Sequence, residues 1–369
     1  MIDTSDLLRS PLDSWHRGRD AKMAEFGGWE MPLSYAASGV VAEHNAVRDT
    51  VGLFDVSHLG KALVRGPGAK DFVNRTLAND LNRIAPGQAQ YTMALTEDGG
   101  VIDDMIAYLR GDDEVFLIPN AANTAKVVSA LQDAAGGEFE VRDQHRDFAV
   151  FALQGPRSKA VLESLGIQAP SEYMSFVDTE FDGAPLTVCR TGYTGEPGYE
   201  LVPTWDSAPA LWERLVTAVE NDGGAAAGLG ARDTLRTEMG YALHGHELTE
   251  DITPLEAGVR WAVGWKKEQF WGRDALLAQR ETGAPRRSVG LKAVDRGVPR
   301  AGMDVVLGDG TVVGVTTSGT FSPSLQTGIA LALIDAATDE DAELFLDVRG
   351  RKLAVAAQKP PFAADHTRD

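Results

Sequence analysis

A single cysteine, Cys189, stands in 369 residues. That excludes an internal disulfide and any metal cluster built on thiolates, and it fits a reducing, cytoplasmic setting. Long apolar runs are missing too. Nothing approaches the roughly 20 residues that span a bilayer, so no membrane partner is expected. The N-terminal stretch has acids at Asp3 and Asp6 and no apolar h-region, so a secretory signal is not expected. Basic charge is scarce: 35 Lys and Arg against 54 Asp and Glu leave a net charge of −19. No nucleic-acid partner is expected, because non-specific binding needs a basic surface. An anionic small ligand held by a local arginine remains compatible with the acidic mean field. There is no Gly-Lys-Ser/Thr phosphate-loop ending and no dinucleotide fingerprint, so neither flavin nor NAD is expected.

What the chain does carry is concentrated between Thr96 and Arg110. Glu97-Asp98-Gly99-Gly100 is turn chemistry. Val101, Ile102, Met105, Ile106, Ala107, Tyr108 and Leu109 are strand formers. Among them stand two adjacent carboxylates, Asp103 and Asp104. Successive strand residues face opposite ways, so Asp103 shares a face with Val101, Met105 and Ala107, and Asp104 with Ile102, Ile106 and Tyr108. A charge among apolar side chains must be paired, neutralised or used. Both faces are apolar, so the pattern alone does not choose between the two acids.

The length favours two or three domains. Ala62-Leu63-Val64-Arg65-Gly66-Pro67 runs from a strand into a helical pattern, and Phe151-Ala152-Leu153-Gln154-Gly155-Pro156 does the same. Proline suits the first helical turn, and the echo suggests two related α+β halves. Strands at 60–65, 90–95, 101–109 and 114–118 form one set with helices at 69–77 and 121–134. The turn at 97–100 makes neighbouring strands antiparallel. A second set has strands at 148–153, 186–190 and 199–202 and helices at 158–165 and 209–219, followed by a helix at 231–241. Thr253-Pro254-Leu255-Glu256 reads as a capping box with proline at the first helical position. It precedes Trp261 and Trp265, which are expected to pack against the body. From Val289 to Lys359 the texture of Val, Gly, Thr and turns predicts a small all-β domain. Residues 363–369 are expected to fray.

Two further segments carry chemistry. In Gly192-Tyr193-Thr194-Gly195-Glu196-Pro197-Gly198-Tyr199-Glu200, three glycines imply tight turns around two tyrosines and a carboxylate. An aromatic beside a carboxylate suits a flat heterocycle with an amino group and ring N–H, though a hairpin with surface tyrosines has the same composition. In Gly228-Leu229-Gly230-Ala231-Arg232-Asp233, Arg232 falls in the first turn of a helix, where the dipole disfavours a cation. It needs a partner: a ligand anion, or a protein carboxylate such as Asp233 or Glu238. Asp55-Val56-Ser57-His58 holds a Ser/His pair without a nucleophile-elbow pattern. His244-Gly245-His246-Glu247 fits no common zinc spacing, so no metal is expected. Cys189, inside a strand pattern, reads as a small buried hydrophobe.

In order along the chain, seven segments resemble the motifs of the glycine cleavage T-protein family. They are Gly27-Gly28-Trp29 with Pro32, Phe54-Asp55-Val56-Ser57-His58, Gly99-Gly100-Val101-Ile102-Asp103-Asp104, Leu153-Gln154-Gly155-Pro156, Gly192-Tyr193-Thr194-Gly195-Glu196, Gly228-Leu229-Gly230-Ala231-Arg232-Asp233 and Thr317-Ser318-Gly319-Thr320-Phe321-Ser322-Pro323. The resemblance spans residues 14 to 362. It implies an α+β fold arranged as a three-domain cloverleaf around a central folate-binding hole. Two related antiparallel-sheet α+β domains would occupy 1–55 with 145–275 and 56–144. A C-terminal small β-barrel or jelly-roll-like domain would occupy 285–362, with a flexible tail at 363–369.

The implied activity is aminomethyl transfer. The one-carbon unit would pass from the dihydrolipoyl arm of a lipoylated H-protein to tetrahydrofolate as co-substrate, with release of ammonia. By the same resemblance Asp104, the second aspartate of its motif, is the catalytic carboxylate. Glu200 would grip the amino-pyrimidine edge of the pterin, and Tyr193 would pack beside it. Arg232 and Asn120 would be folate-pocket contacts, with Ile118 and Tyr91 as walls. One departure stands out: some members place a tyrosine in the C-terminal tail within the folate site, and none follows Phe362 here. The same fold would also serve a standalone folate-dependent demethylase or a non-catalytic folate-binding module. Members of the latter kind carry a Lys-Gly-Cys-Tyr-type motif, where this chain has Arg190-Thr191-Gly192-Tyr193. A β-rich structural adaptor would need neither Asp104 nor Glu200 in one cavity.

Overall fold

A computed structural model describes residues 6–369; residues 1–5, the start of the stretch expected to open the first domain, lie outside it. The strand-to-helix echo is built the same way twice. Gly66 and Gly155 sit at φ 139° and 131°, which L side chains rarely adopt. Each carbonyl accepts from the N–H three residues on, Ala69 and Ser158, at 3.0 Å. The chain then enters helices Ala69–Thr76 and Ser158–Ser164.

Around these turns grow two sheets of matching order. The five-stranded sheet runs Gln88–Leu95, Val101–Gly111, Glu114–Ile118, Ala62–Arg65, Glu140–Asp143. The six-stranded sheet runs Phe176–Phe181, Ala184–Cys189, Gly198–Pro203, Phe151–Gln154, Gly52–Asp55, Ala225–Ala226. All neighbours are antiparallel except the last pair. In each half a strand–turn–helix is followed by a three-stranded meander and a longer helix, Thr124–Ala135 or Ala208–Asn221.

Each sheet covers one face with its own helices. Phe72, Val73, Val127 and Leu131 pack on Met105, Leu109 and Leu117 in the five-stranded half. Leu211, Trp212 and Leu215 pack on Leu53, Phe151 and Leu201 in the other. The opposite faces meet in a shared core of Phe54, Ala152, Cys189 and Val202 from one sheet and Tyr108, Phe116 and Ile118 from the other. The third lobe is a closed six-stranded barrel between Arg286 and Ala357. It is tied to helix Leu229–Met239 by polar contacts: Arg236 to Ser318 at 2.7 Å, and Glu238 to Ser322 and Ser324 at 2.5 and 2.8 Å. The result is the expected three-lobed cloverleaf.

Four features differ from the sequence reading. The capping box at Thr253 forms, with the Thr253 N–H donating to Glu256 at 2.9 Å and the Glu256 N–H to Thr253 Oγ1 at 3.3 Å. No α-helix follows it, because Gly258 at φ 76° turns the chain out after one turn. Trp261 does not pack into the body but is 63 % exposed, while Trp265 lies against the core. An N-terminal sheet of Leu8–Arg9, Trp29–Tyr35 and Ala21–Phe26, and the helix Gly39–Asp49, stood outside the sequence expectations.

The fourth difference is the tail 363–369, which is docked rather than frayed. The His366 N–H donates to the Gly195 carbonyl at 2.8 Å. Arg190 donates to the carbonyl of Thr367 at 3.1 Å, and Thr367 is only 6 % exposed. Arg368 lies over the Tyr173 ring at 5.4 Å. A terminus stays ordered when it finds such partners, and only the tail's own composition was visible beforehand.

Candidate functional site

The register of the five-stranded sheet sets out the first half of the site. Tyr91 pairs with Ile106 and Ile106 with Ile118; in the next row Met93 pairs with Asp104. Continuing that row past the end of Glu114–Ile118 reaches Asn120, which donates to Asp104 Oδ1 at 2.9 Å. A bulge sits beside the row, where pairing shifts between Ala94 and Leu95 opposite Val101 and Asp103. Bulges re-aim side chains near sites and leave no mark in the sequence. The turn before it needs Gly100, where a Cβ would lie 1.7 Å from the Glu250 carbonyl oxygen.

Burial separates the two aspartates. Asp103 has no exposed surface and lies on the helix-covered face with Met105 and Ala107, while Asp104 is partly open on the other face with Ile102 and Ile106. Tyr91 Oη donates to Asp104 Oδ2 at 3.0 Å. Asp103 accepts from the Asn120 N–H at 2.9 Å, from Asn120 Nδ2 at 2.8 Å and from Asn123 Nδ2 at 2.7 Å. Burial pushes both acids above the ordinary carboxylate range, and for Asp103 the Asp104 charge adds to it. Burial and the same Asp104 charge hold the Tyr91 hydroxyl well above its usual range, so it stays a donor.

The other half contributes Glu200, Tyr193 and Arg232. Glu200 pairs with Ala152 and Cys189 in the six-stranded sheet, is 8 % exposed, and accepts from Thr191 Oγ1 at 2.5 Å. The Tyr193 hydroxyl donates to the Ala242 carbonyl, and its ring carries the Arg232 guanidinium at 4.7 Å. Arg232 does not pair with the protein carboxylates that sequence offered it. Arg236 takes Asp233 at 2.7 Å, and Arg48 takes Glu238 at 2.8 Å. Buried Arg232 Nη1 has no hydrogen-bond partner. Burial pulls the Arg232 guanidinium down from its usual range, against the opposing charges of Glu200 and Tyr193. Tyr193 also feels the Asp104 charge, so it sits between the two halves of the site.

The sequence-derived positions fall into two groups, one on each half. Asp104, Tyr91 and Asn120 join by hydrogen bonds; Tyr193 and Arg232 stack; Glu200 faces Arg232; and Ile118 belongs to the core between the sheets. Trp261, whose ring lies 5.4 Å from that of Tyr91, is an added neighbour that the sequence assigned to packing. The Ser57/His58 pair is not a nucleophile and its base, because Ser57 Oγ is engaged with the backbone of Val150. His58 Nδ1 is buried without a partner, and burial pulls the ring down to about 3. The loop that carries it is held by Lys61 Nζ, which donates to the carbonyls of Ser57 and Leu59 at 2.9 and 2.7 Å. The residues of the His244 motif diverge: His244 meets Asn123, His246 meets the Thr317 carbonyl, and Glu247 meets Arg236.

This arrangement holds a protonatable carboxylate pair on the five-stranded half and a carboxylate and a cation on the six-stranded half. Arg232 Nη1 is unsatisfied, as expected where a polar ligand completes the set.

The chain is similar to known proteins along its whole length. The GCVT N-terminal domain model matches residues 12–267, and that of the glycine cleavage T-protein C-terminal barrel domain matches 286–363. The chain is 61 % identical to an aminomethyltransferase of Mycolicibacterium paratuberculosis and 58 % to that of Mycobacterium tuberculosis, each over the full length of both chains. The crystal structure of the glycine cleavage system aminomethyltransferase T from Bartonella henselae superposes with a TM-score of 0.91 at 35 % identity, covering 98 % of this chain and 99 % of that one.

Proposed function

The chain belongs to the glycine cleavage T-protein family, and we propose that it works as a tetrahydrofolate-dependent aminomethyltransferase. In this reading the S-aminomethyl-dihydrolipoyl arm of an H-protein and tetrahydrofolate meet in the central opening. The carbon–sulfur and carbon–nitrogen bonds of the aminomethyl group break, two bonds form to folate nitrogens, and ammonia and the dihydrolipoyl thiol leave. Tetrahydrofolate supplies the nucleophilic nitrogens; the protein supplies placement and proton handling.

One observation carries the reading. A protonatable carboxylate and an unsatisfied guanidinium come from different halves of the molecule and flank one tyrosine, Tyr193. Glu200 and Arg232 fit a flat heterocycle with donors on its edge and an anionic or carbonyl group nearby. Tyr193, Ile118 and Tyr91 give it apolar walls. Holding two reactants in register supplies much of the rate in such a transfer. Asp104 is then the group that carries a proton to or from the reacting nitrogen, held in aim by Tyr91 and Asn120. A cytoplasmic location and the absence of metal from the chemistry belong to the same proposal.

The test is a titration with tetrahydrofolate followed by ammonia release from aminomethylated, lipoylated H-protein. Folate-dependent ammonia release supports the reading. Folate binding with turnover only on methylamine-type or methoxy substrates would replace it with a demethylase, and no folate binding would remove it.

A further inference from the structure

His244 and Asn123 lie next to the carboxylate pair and have no part in the transfer described so far. Asn123 Nδ2 donates both of its hydrogens, one to Asp103 Oδ1 at 2.7 Å and one to His244 Nδ1 at 3.0 Å. In that arrangement Nδ1 is the acceptor, so Nε2 carries the ring hydrogen and donates to the Val101 carbonyl at 3.1 Å. An accepting Nδ1 requires the NH2 end of the Asn123 amide to face both neighbours. The histidine thus turns the amide so that Asp103 meets a donor and not a carbonyl.

The two aspartates are thereby treated unequally. Asp103 accepts three N–H bonds, two from Asn120 and one from Asn123. Asp104 side-chain oxygens accept one N–H, from Asn120, and the Tyr91 hydroxyl. Donors to the charged form favour it, and two close carboxylates ionise as a unit. We infer that Asn123 and His244 are a positioning pair that favours the charge on Asp103 against its burial, so that Asp104 keeps a share of the pair's proton and can exchange it. The titratable groups facing the pair are Tyr91 on the adjoining strand, Tyr193 from the six-stranded half and His244 itself. The inference rests on Asp104 being the reacting acid.

Removing the Asn123 donor raises the affinity of Asp103 for the shared proton. Asp104 then ionises at lower pH, so the limb of the pH–turnover profile that it governs moves down. Asn123→Ala and His244→Phe should each move that limb down by about one pH unit, a tenfold change in ionisation ratio. KM for tetrahydrofolate should change by no more than about twofold. His244→Gln keeps an acceptor for Asn123 and a donor for Val101, and should restore the wild-type profile. A lower kcat with an unmoved profile in both variants would reduce the pair to a structural role and overturn the inference. An upward shift would do so as well, by showing that the Asn123 donor does not act on Asp104 through Asp103. Aspartate 13C-carboxyl titration, with Asp104→Asn identifying the resonance, reads the same shift without any turnover. A shift there with no folate-dependent reaction would leave the positioning pair standing and remove the proposed function. Asn123→Ser provides a second folded variant if Asn123→Ala fails to accumulate.

Discussion

The two α+β halves share a turn, a strand order and a helix-covered face, but they carry differently supported acids. In the five-stranded half Asp104 stands on the strand Val101–Gly111 beside a second carboxylate, and its donors are a tyrosine and an amide. In the six-stranded half Glu200 stands one strand further along, on Gly198–Pro203, accepts from a threonine and faces the Arg232 cation. Sheet position alone therefore does not decide what a carboxylate can do. Neighbours do: Asp104 lies beside a second buried acid and keeps a proton more easily for its burial, whereas Glu200 lies beside a hydroxyl donor and a guanidinium. The turns differ in the same way. A Cβ on Gly155 would lie 2.5 Å from the Thr50 carbonyl oxygen and 2.7 Å from that of Val47, while on Gly66 it would meet the Phe139 ring at 3.3 Å.

Breaking this contrast at the reacting acid should cost most. Asp104→Asn is expected to lower turnover by about 10²–10⁴-fold while leaving tetrahydrofolate affinity nearly intact. Normal turnover in that variant would end the assignment, and an equal loss in Asp103→Asn alone would move it one residue back. The turns offer a sharper structural contrast. Gly155→Ala should lower stability by about 2–4 kcal/mol and Gly66→Ala by about 1 kcal/mol, because only the first drives a Cβ into rigid backbone. Equal urea midpoints for the two variants would contradict this.

In the six-stranded half, Glu200→Gln should weaken tetrahydrofolate binding by about 10- to 100-fold, the worth of a hydrogen bond to a charged group, and should change kcat less. A kcat loss at unchanged affinity would reverse the two carboxylates' roles. Thermal scans against pH should show opposite slopes. Burial raises Asp103 and Asp104, so the folded chain keeps protons that the unfolded chain loses as pH rises out of the acid range. The contribution of the pair to stability therefore falls toward neutral pH. Glu238 behaves the other way: burial pushes it up, but His44, Ser322 and Arg48 hold it down to about 2. Its contribution is present above the ordinary glutamate range and is lost as pH falls toward 2. Glu238→Gln should remove that acid-side loss, and Asp104→Asn should flatten the neutral-side decline. Identical slopes in both variants would defeat the comparison.

Much of this was legible because it is local. Gly66-Pro67 and Gly155-Pro156 announce two strand-to-helix turns, and alternation marks the strand that bears Asp103 and Asp104. The choice between those acids was not legible from alternation, since both faces are apolar; it depends on which face the helices cover. Trp261 illustrates the same limit: an aromatic after a capping box reads as core, yet Gly258 ends the turn and leaves the ring beside Tyr91. The roles of Asn123 and His244 depend on a contact across 121 positions. No periodicity reports that separation.

The docked tail has a consequence for stepwise unfolding. Residues 366–369 rest on Gly195, Arg190 and Tyr173, at and beside the glycine-rich segment leading to Glu200. Their release breaks a few hydrogen bonds and one ring contact but unpairs no strand of either sheet or of the barrel. Local opening at this edge therefore costs less than global unfolding, and amide exchange should reach Gly195 before it reaches the strands.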